Sequence, residues 1–220
     1  MSSKISKIQY KKNRIKIVCL TAYSKNFAEL IDKYTDLILV GDSLGSVLYN
    51  YKTTRKVTLE MMIEHSKSVR LGIKKSLMIV DMPYNSYKNK SSALKNCKKI
   101  LKDTKCDGVK LEGGTKIKKI VQHLTKNKIP VMGHIGLMPQ NVRGKFRYKG
   151  KTLSEKNNLI NDSKSLEKAG AFAIVLECIE KNLARKITDL IKIPTIGIGS
   201  SNNCDGQILV TDDLIGLTNS

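Results

Sequence analysis

The sequence predicts an α/β fold, with a (β/α)₈ barrel favoured over an open, doubly wound sheet. Short apolar runs alternate with longer lysine-rich segments of helical period, a pattern typical of βαβ units and a parallel sheet. Eight such runs are present, which is the number that a closed barrel needs. The chain reads Cys19-Leu20-Thr21-Ala22-Tyr23 after the first run, where a dinucleotide-binding sheet would carry GxGxxG.

The predicted elements follow one another along a single domain that covers residues 1–220. Strands are predicted at 15–20, 37–40, 77–80, 108–111, 129–133, 172–176 and 195–198, with a weaker eighth at 208–210. Helices are predicted at 24–33, 58–71, 91–101, 117–126, 154–168 and 181–191, with Thr58 and the pair Ser91-Ser92 as candidate N-cap regions. The glycine- and lysine-rich segment 143–151 predicts a mobile loop over the barrel mouth.

The strongly basic composition raises the question of whether the protein binds nucleic acid. A formal net charge of +21 taken alone would favour a polyanionic partner such as nucleic acid. Most of this charge is lysine spread over almost every predicted helix, and the sequence has no RNP, zinc-finger or helix-turn-helix pattern. We therefore expect no nucleic-acid function, although a positive field would favour acidic substrates.

The cysteines and the apolar segments indicate a cytoplasmic location. The five cysteines are widely spaced and form no CxxC pair, so we expect free thiols in a reducing compartment. No stretch approaches the roughly 20 apolar residues of a membrane span. Residues 1–16 are basic but lack the separate apolar region of a secretory signal.

Ionisable residues stand at the ends of five predicted strands: Asp42, Asp81, Glu112, His134 and Glu177. One charged residue after a strand usually starts a solvated loop. In a parallel barrel, however, all these ends meet at one mouth, where barrel enzymes keep their active sites. Four carboxylates and a histidine at successive strand ends therefore predict a catalytic cluster.

The types of these side chains indicate magnesium chemistry on an acidic carbon. Asp42, Asp81 and Glu112 offer three hard oxygen ligands, which Mg²⁺ prefers. Such an ion could bind a 2-keto acid and stabilise its enolate. Glu177 is the candidate base, since it lies outside the proposed metal ligands. Lys110 stands two residues before Glu112, so both point to the same side of their strand.

At these residues the chain resembles the ketopantoate hydroxymethyltransferase family. The similarity runs over residues 16–216 and rests on an ordered series of motifs. They are TAYS at 21–24, LVGDSLG at 39–45, DMPY at 81–84, VKLEGG at 109–114, GHIGLMPQ at 133–140, VLEC at 175–178, IPTIGIGS at 193–200 and CDGQILV at 204–210.

The resemblance implies a (β/α)₈ barrel that transfers a hydroxymethyl group from methylene-tetrahydrofolate to 2-oxoisovalerate in pantothenate synthesis, with Mg²⁺. It implies that Asp42 and Asp81 bind both the metal and the substrate, and that Glu112 is the third metal ligand. It also implies substrate contacts for Ser43 and Lys110. Glu177 matches the proton acceptor, and His134 falls in a position that lines the substrate site.

The resemblance further implies a homo-oligomer, a decamer in the family. Family members continue beyond the position of Ser220, so the barrel is expected to be short at its C-terminus. Two alternatives remain open at this point. One is a related magnesium enzyme of the phosphoenolpyruvate mutase and isocitrate lyase type, and the other is a basic binding protein on a barrel scaffold that has lost turnover.

Overall fold

Eight parallel strands form a closed barrel in the computed structural model, which describes residues 3–141 and 147–218. Each strand pairs with the next strand in the chain, and the last strand pairs with the first. The closed barrel is confirmed and the open sheet is excluded. The strands are β1 Ile17–Thr21, β2 Leu37–Val40, β3 Leu77–Asp81, β4 Gly108–Glu112, β5 Val131–Gly136, β6 Ala173–Glu177, β7 Thr195–Ile198 and β8 Gly206–Leu209.

Helices surround the barrel, and the six predicted ones are present with ends that agree within a few residues. The α-helices are α1 Ser3–Tyr10, α2 Lys25–Ile31, α3 Leu44–Tyr49, α4 Leu59–Gly72, α5 Lys90–Thr104, α6 Lys118–Lys126, α7 Leu153–Lys168, α8 Lys181–Leu190 and α9 Thr211–Leu214. Short 3₁₀ turns cover Thr54–Lys56, Thr115–Ile117 and Pro139–Asn141. The helices α1, α3 and α9 were not predicted, because such short segments carry little periodic signal.

Side-chain caps fix the starts of the longer helices. The Thr58 hydroxyl accepts a hydrogen bond from the backbone N–H of Met61 and caps α4 as predicted. The cap of α5 is Asn89 rather than the predicted pair Ser91-Ser92. The Asn89 side chain accepts from the backbone N–H of Ser92, while the Ser92 hydroxyl accepts from the backbone N–H of Asn89. This reciprocal pair satisfies two N–H groups that the helix itself leaves free.

Two hydrophobic clusters hold the fold together. One lies between the strands and the surrounding helices, and the other fills the barrel interior. Because the central strands are buried on both faces, they appear in the sequence as continuous apolar runs rather than alternating ones. Ile5 and Ile8 of α1 belong to the interior cluster together with Ile17, Leu37 and Leu77 at the starts of three strands. Helix α1 therefore closes the N-terminal end of the barrel, opposite the mouth.

A buried carboxylate organises the turn that leads into β3. Asp32 accepts hydrogen bonds from the backbone N–H groups of Lys74, Lys75 and Ser76, the last at 2.8 Å. Burial by itself raises the pKa of Asp32, but these hydrogen bonds outweigh it and hold the pKa below its ordinary value. The ionised form of Asp32 therefore stabilises the folded chain.

The outer face of the barrel at the seam between β1 and β8 is exposed in the described structure. Val18 and Leu209 lie on these two strands and are 47% and 45% exposed. The following helix, α9, is only four residues long. No helix among the described residues is long and apolar enough to cross a membrane.

The predicted mobile loop at 143–151 falls partly outside the described residues. Its last part is described from Arg147 onward. There, Lys149 donates its N–H to the carbonyl of Cys178 and accepts from the N–H of Glu180. This end of the loop is thus fastened to the chain just after β6.

Candidate active site at the carboxyl ends of the strands

The predicted strand-end residues come together in one cluster at the barrel mouth. The side chains of Asp42, Asp81, Glu112 and His134 are buried, with at most 5% of each residue exposed. Glu177 is half-buried at the rim. The parallel pairing produces this arrangement, because it sets Asp81 beside Lys110, Glu112 beside His134 and Glu177 beside Gly136.

Lys110 provides the positive charge inside the cluster. Its Nζ lies 2.9 Å from Asp81 Oδ1, outside the angle of a good hydrogen bond, and 3.1 Å from His134 Nδ1. Burial by itself lowers the pKa of Lys110, but the charges of Asp81, Glu112 and Asp42 outweigh it and hold the pKa above its ordinary value. Lys110 is therefore an ammonium ion, which can donate protons but cannot accept one.

The protonation of Lys110 fixes the form of the neighbouring histidine. Since Lys110 only donates, His134 Nδ1 must accept, and the ring proton then sits on Nε2. His134 Nε2 lies 3.1 Å from Glu177 Oε2, outside the angle of a good hydrogen bond. Burial, followed by the charge of Lys110, lowers the pKa of His134 even though Glu177 opposes this shift. A neutral imidazole therefore lies between Lys110 and Glu177.

Gln140 connects two of the proposed metal ligands, a role that sequence reasoning missed. Its Nε2 donates to Asp42 Oδ2 at 2.8 Å and to the carbonyl of Met82 at 3.0 Å. Its backbone N–H donates to Glu112 Oε2 at 3.1 Å, and its Oε1 accepts from the hydroxyl of Tyr87 at 2.7 Å. The only sequence signal was its place at the end of the GHIGLMPQ stretch, since nothing in the spacing indicates which strand end a loop residue reaches.

Ser43 reaches the cluster from the start of α3, where a tyrosine holds it. The Tyr23 hydroxyl lies 2.8 Å from Ser43 Oγ. Burial is the main cause that raises the pKa of Tyr23 to about 12, so the phenol stays protonated. A β-carbon on Gly41 would lie 2.8 Å from Ser43 Oγ and 3.6 Å from Asp81 Oδ2. The glycine therefore leaves room for the hydroxyl and the carboxylate to approach the same space.

A tight turn after β5 places Glu177 against His134. Gly136 has a φ of +98°, and a β-carbon there would lie 2.2 Å from the carbonyl oxygen of Glu177. That carbonyl also accepts the N–H of Leu137 at 2.8 Å. Only glycine combines this positive φ with so close an approach. The turn therefore requires glycine at Gly136, the second glycine of the GHIG stretch.

The electrostatics of the cluster suit a divalent cation. Four carboxylates face one ammonium group, and burial is the largest cause that raises the pKa of both Asp42 and Glu112. The negative charge of Asp81 raises the pKa of Asp42 further. The pKa of Glu112 is lowered by the charge of Lys110, but it is raised by the charges of Asp42 and Asp81. A bound ion of charge +2 would offset this excess negative charge. The oxygen donors of Asp42, Asp81 and Glu112 thus fit Mg²⁺ in type and charge.

Protein groups already hydrogen-bond to two of these donors. Asp42 is held by Gln140, and Asp81 Oδ2 accepts the backbone N–H of Asp42 at 3.1 Å. Among residues 3–141 and 147–218, no three histidine, cysteine, aspartate or glutamate side chains are gathered as a metal site. The structure therefore brings the predicted ligands into one cluster without converging them on a single point.

Comparison with solved structures agrees with the barrel architecture. An oxaloacetate acetylhydrolase aligns with a TM-score of 0.72 at 13% sequence identity, covering 98% of this chain and 83% of that one. A phosphonopyruvate hydrolase in complex with oxalate and Mg²⁺ aligns with a TM-score of 0.68 at 10% identity, with coverages of 98% and 83%. At such low identity the likeness establishes the fold alone.

Comparison with curated proteins establishes the family. The 3-methyl-2-oxobutanoate hydroxymethyltransferase of Pelagibacter ubique is 61% identical over 217 residues, which cover 99% of this chain and 84% of that protein. The proteins of the same name from Rhizobium etli and Anaplasma marginale (strain St. Maries) are 51% and 50% identical, and each match covers 76% of the relative. The ketopantoate hydroxymethyltransferase family model matches residues 2–220. On this evidence, the chain belongs to the ketopantoate hydroxymethyltransferase family.

Proposed function

We propose that the strand-end cluster is the active site at which this chain carries out the 3-methyl-2-oxobutanoate hydroxymethyltransferase reaction. In this reaction a hydroxymethyl group passes from methylene-tetrahydrofolate to 2-oxoisovalerate and gives ketopantoate, a precursor of pantothenate and coenzyme A. The observation that carries the proposal is the cluster itself, in which Lys110 lies against Asp81 and His134 while His134 lies against Glu177.

The keto acid is an anion with a ketone next to its carboxylate, and the cluster offers groups that suit both. Lys110 supplies a fixed positive charge, and the Ser43 hydroxyl is held in place by Tyr23. Asp42, Asp81 and Glu112 would hold Mg²⁺. When bound, this ion would polarise the ketone and favour loss of the adjacent proton.

Glu177 is the proposed base for the proton on C3 of the keto acid. It lies at the rim of the cluster, where its side chain keeps 16% of its exposure and a substrate can reach it. His134 Nε2 lies 3.1 Å from Glu177 Oε2, so a small rotation of either side chain would form a hydrogen bond that orients Glu177. The carbanion formed at C3 would then form a carbon–carbon bond to the methylene carbon of the folate. The two carbon–nitrogen bonds that hold this carbon break, water supplies the oxygen of the new hydroxymethyl group, and tetrahydrofolate leaves.

The assembly and the location are further parts of the proposal. We propose a homo-oligomer in which another subunit covers the exposed apolar side chains of Val18 and Leu209 at the seam of β1 and β8. The five cysteines are free thiols, as expected of a cytoplasmic protein.

The decisive test is turnover with defined substrates. Purified chain, Mg²⁺, methylene-tetrahydrofolate and 2-oxoisovalerate should yield ketopantoate, and omission of any component should abolish it. Absence of product with the folded chain at any metal concentration would contradict the proposed activity.

A second experiment isolates the base. In deuterated water without folate, the wild-type chain should exchange the C3 hydrogen of 2-oxoisovalerate. Glu177→Gln should lower exchange and turnover by about 10²- to 10⁴-fold, as is typical when a general base is lost. The matched control is Glu29→Gln on the exposed side of α2, which should exchange like wild type. Unchanged exchange in Glu177→Gln would place the base elsewhere, with His134 as the next candidate.

A further inference from the structure

A cavity of about 1040 Å³ lies directly beside the strand-end cluster. It meets the cluster at Glu112 and Gln140, and it extends along the loops after β3 and β4 to one face of α7. Sites that bury drug-sized ligands measure about 300–1,000 Å³. A five-carbon keto acid needs only a small part of this space, so the cavity has room for a second and larger molecule.

The lining of this cavity is strongly basic. It includes five lysines and two carboxylates, and the lysines are Lys88, Lys116, Lys118, Lys164 and Lys168. One of the carboxylates, Asp162, accepts the backbone N–H of Thr115 at 2.7 Å. Within the described part of the chain, none of the five lysines forms an ion pair with a carboxylate. Their charges are therefore available to an acidic ligand.

The lysines come from several different elements that border the cavity. Lys116 belongs to the 3₁₀ turn after β4, and Lys118 starts α6. Lys164 and Lys168 lie four residues apart on α7, so they are neighbours on one helix face. Asn158 and Asn161 of α7 line the same space and add amide donors for carboxylate oxygens. We call this region, defined by the five lysines, the lysine groove.

Apolar side chains line the end of the cavity that meets the cluster. Tyr84, Tyr87 and Met138 lie in the lining together with Gln140. Tyr87 and Gln140 are hydrogen-bonded to each other. Aromatic side chains thus border the cavity next to the cluster, whereas four of the lysines come from the 3₁₀ turn after β4 and from α6 and α7.

We infer that the lysine groove binds the γ-linked glutamate tail of the folate co-substrate, an inference that rests on the proposed function. A folate has a flat ring system that carries the one-carbon unit and a tail that gains one carboxylate with each glutamate. The ring end must reach the cluster for transfer, so the tail must lead away from it. The apolar end of the cavity suits the rings and the lysine groove suits the tail. The preferred substrate is then a polyglutamate form of methylene-tetrahydrofolate.

The test compares the monoglutamate and pentaglutamate forms of methylene-tetrahydrofolate in steady-state kinetics. The wild-type chain should have a lower KM for the pentaglutamate form, and added salt should reduce this difference because exposed charges are screened. Lys116→Gln/Lys164→Gln/Lys168→Gln should raise KM for the pentaglutamate about 3- to 100-fold, since each exposed pair contributes weakly. The KM for the monoglutamate should rise less.

The matched control removes the same charge elsewhere. Lys74, Lys75 and Lys98 are exposed and do not line the cavity, and the first two precede β3 at the opposite end of the barrel. Lys74→Gln/Lys75→Gln/Lys98→Gln should keep the wild-type preference for the pentaglutamate. An equal loss in both triple variants would mean a general charge effect and would overturn the inference.

The proposed activity and the lysine groove can be tested separately. Turnover of both folates with equal KM would contradict binding of the glutamate tail by the lysine groove, but it would support the proposed function. If neither folate is turned over, calorimetry with the pentaglutamate and monoglutamate still tests the groove. Binding of the pentaglutamate that is tighter in wild type than in the groove variant would support it, and equal binding would overturn it.

Discussion

Gln140→Leu tests whether a single buried amide holds the cluster together. The substitution keeps a similar volume but removes donors to Asp42 Oδ2 and to the carbonyl of Met82, and an acceptor for Tyr87. A hydrogen bond to a charged group contributes about 1.5–3 kcal/mol and a neutral one about 0.5–1.5 kcal/mol. Tyr87 keeps a weaker hydrogen bond to the carbonyl of Glu112 at 3.3 Å, and the leucine side chain adds apolar contact. The summed contribution of the three lost hydrogen bonds is therefore an upper bound on the loss of stability. We expect a loss of about 2–4 kcal/mol in the free energy of unfolding.

Urea unfolding measures this loss, provided that the midpoint changes while the slope stays constant. Gln122→Leu on the exposed side of α6 is the matched control and should stay within about 0.5 kcal/mol of wild type. Tyr87→Phe removes only the bond to Gln140 Oε1 and the weak bond to Glu112. Its effect should be smaller and should not add to that of Gln140→Leu, because the two side chains are directly paired. If Gln140→Leu were as stable as Gln122→Leu, the amide would not hold the cluster.

Three further predictions concern the metal, the acid stability and the assembly. Asp42→Asn and Asp81→Asn should each abolish Mg²⁺ binding measured by calorimetry with keto acid present, and wild-type affinity in both would remove the proposed metal site. Asp32→Asn should lower stability by about 1–3 kcal/mol at neutral pH. Because the pKa of Asp32 is lowered on folding, the difference from wild type should shrink as the pH falls through about 4 and below, and a constant difference across pH would contradict this. Val18→Lys/Leu209→Lys should reduce the mass measured by light scattering, whereas a wild-type monomer would contradict coverage of this face by another subunit.

Much of the barrel could be predicted from the sequence because its strands are buried on both faces. β2 and β7 were predicted at their observed bounds, since each is a short apolar run between polar segments. β5 extends three residues beyond its predicted end, through His134 to Gly136, because pairing with β6 continues past the predicted apolar run. The N-terminal helix α1 was missed, since its two buried isoleucines become informative only when they fill the end of the barrel.

The sequence by itself determined the parallel fold, the family and the residue types at the strand ends. These features depend on local patterns and on ordered motifs, which a linear chain contains in full. Only the tertiary structure decided that β8 closes on β1, that Lys110 lies between Asp81 and His134, and that Gln140 reaches Asp42. It also decided that lysines from α7 and from the turn after β4 face one cavity. The physical reason is that strand register and loop path bring together groups far apart in the chain, and neither is encoded by the spacing of residues within one element.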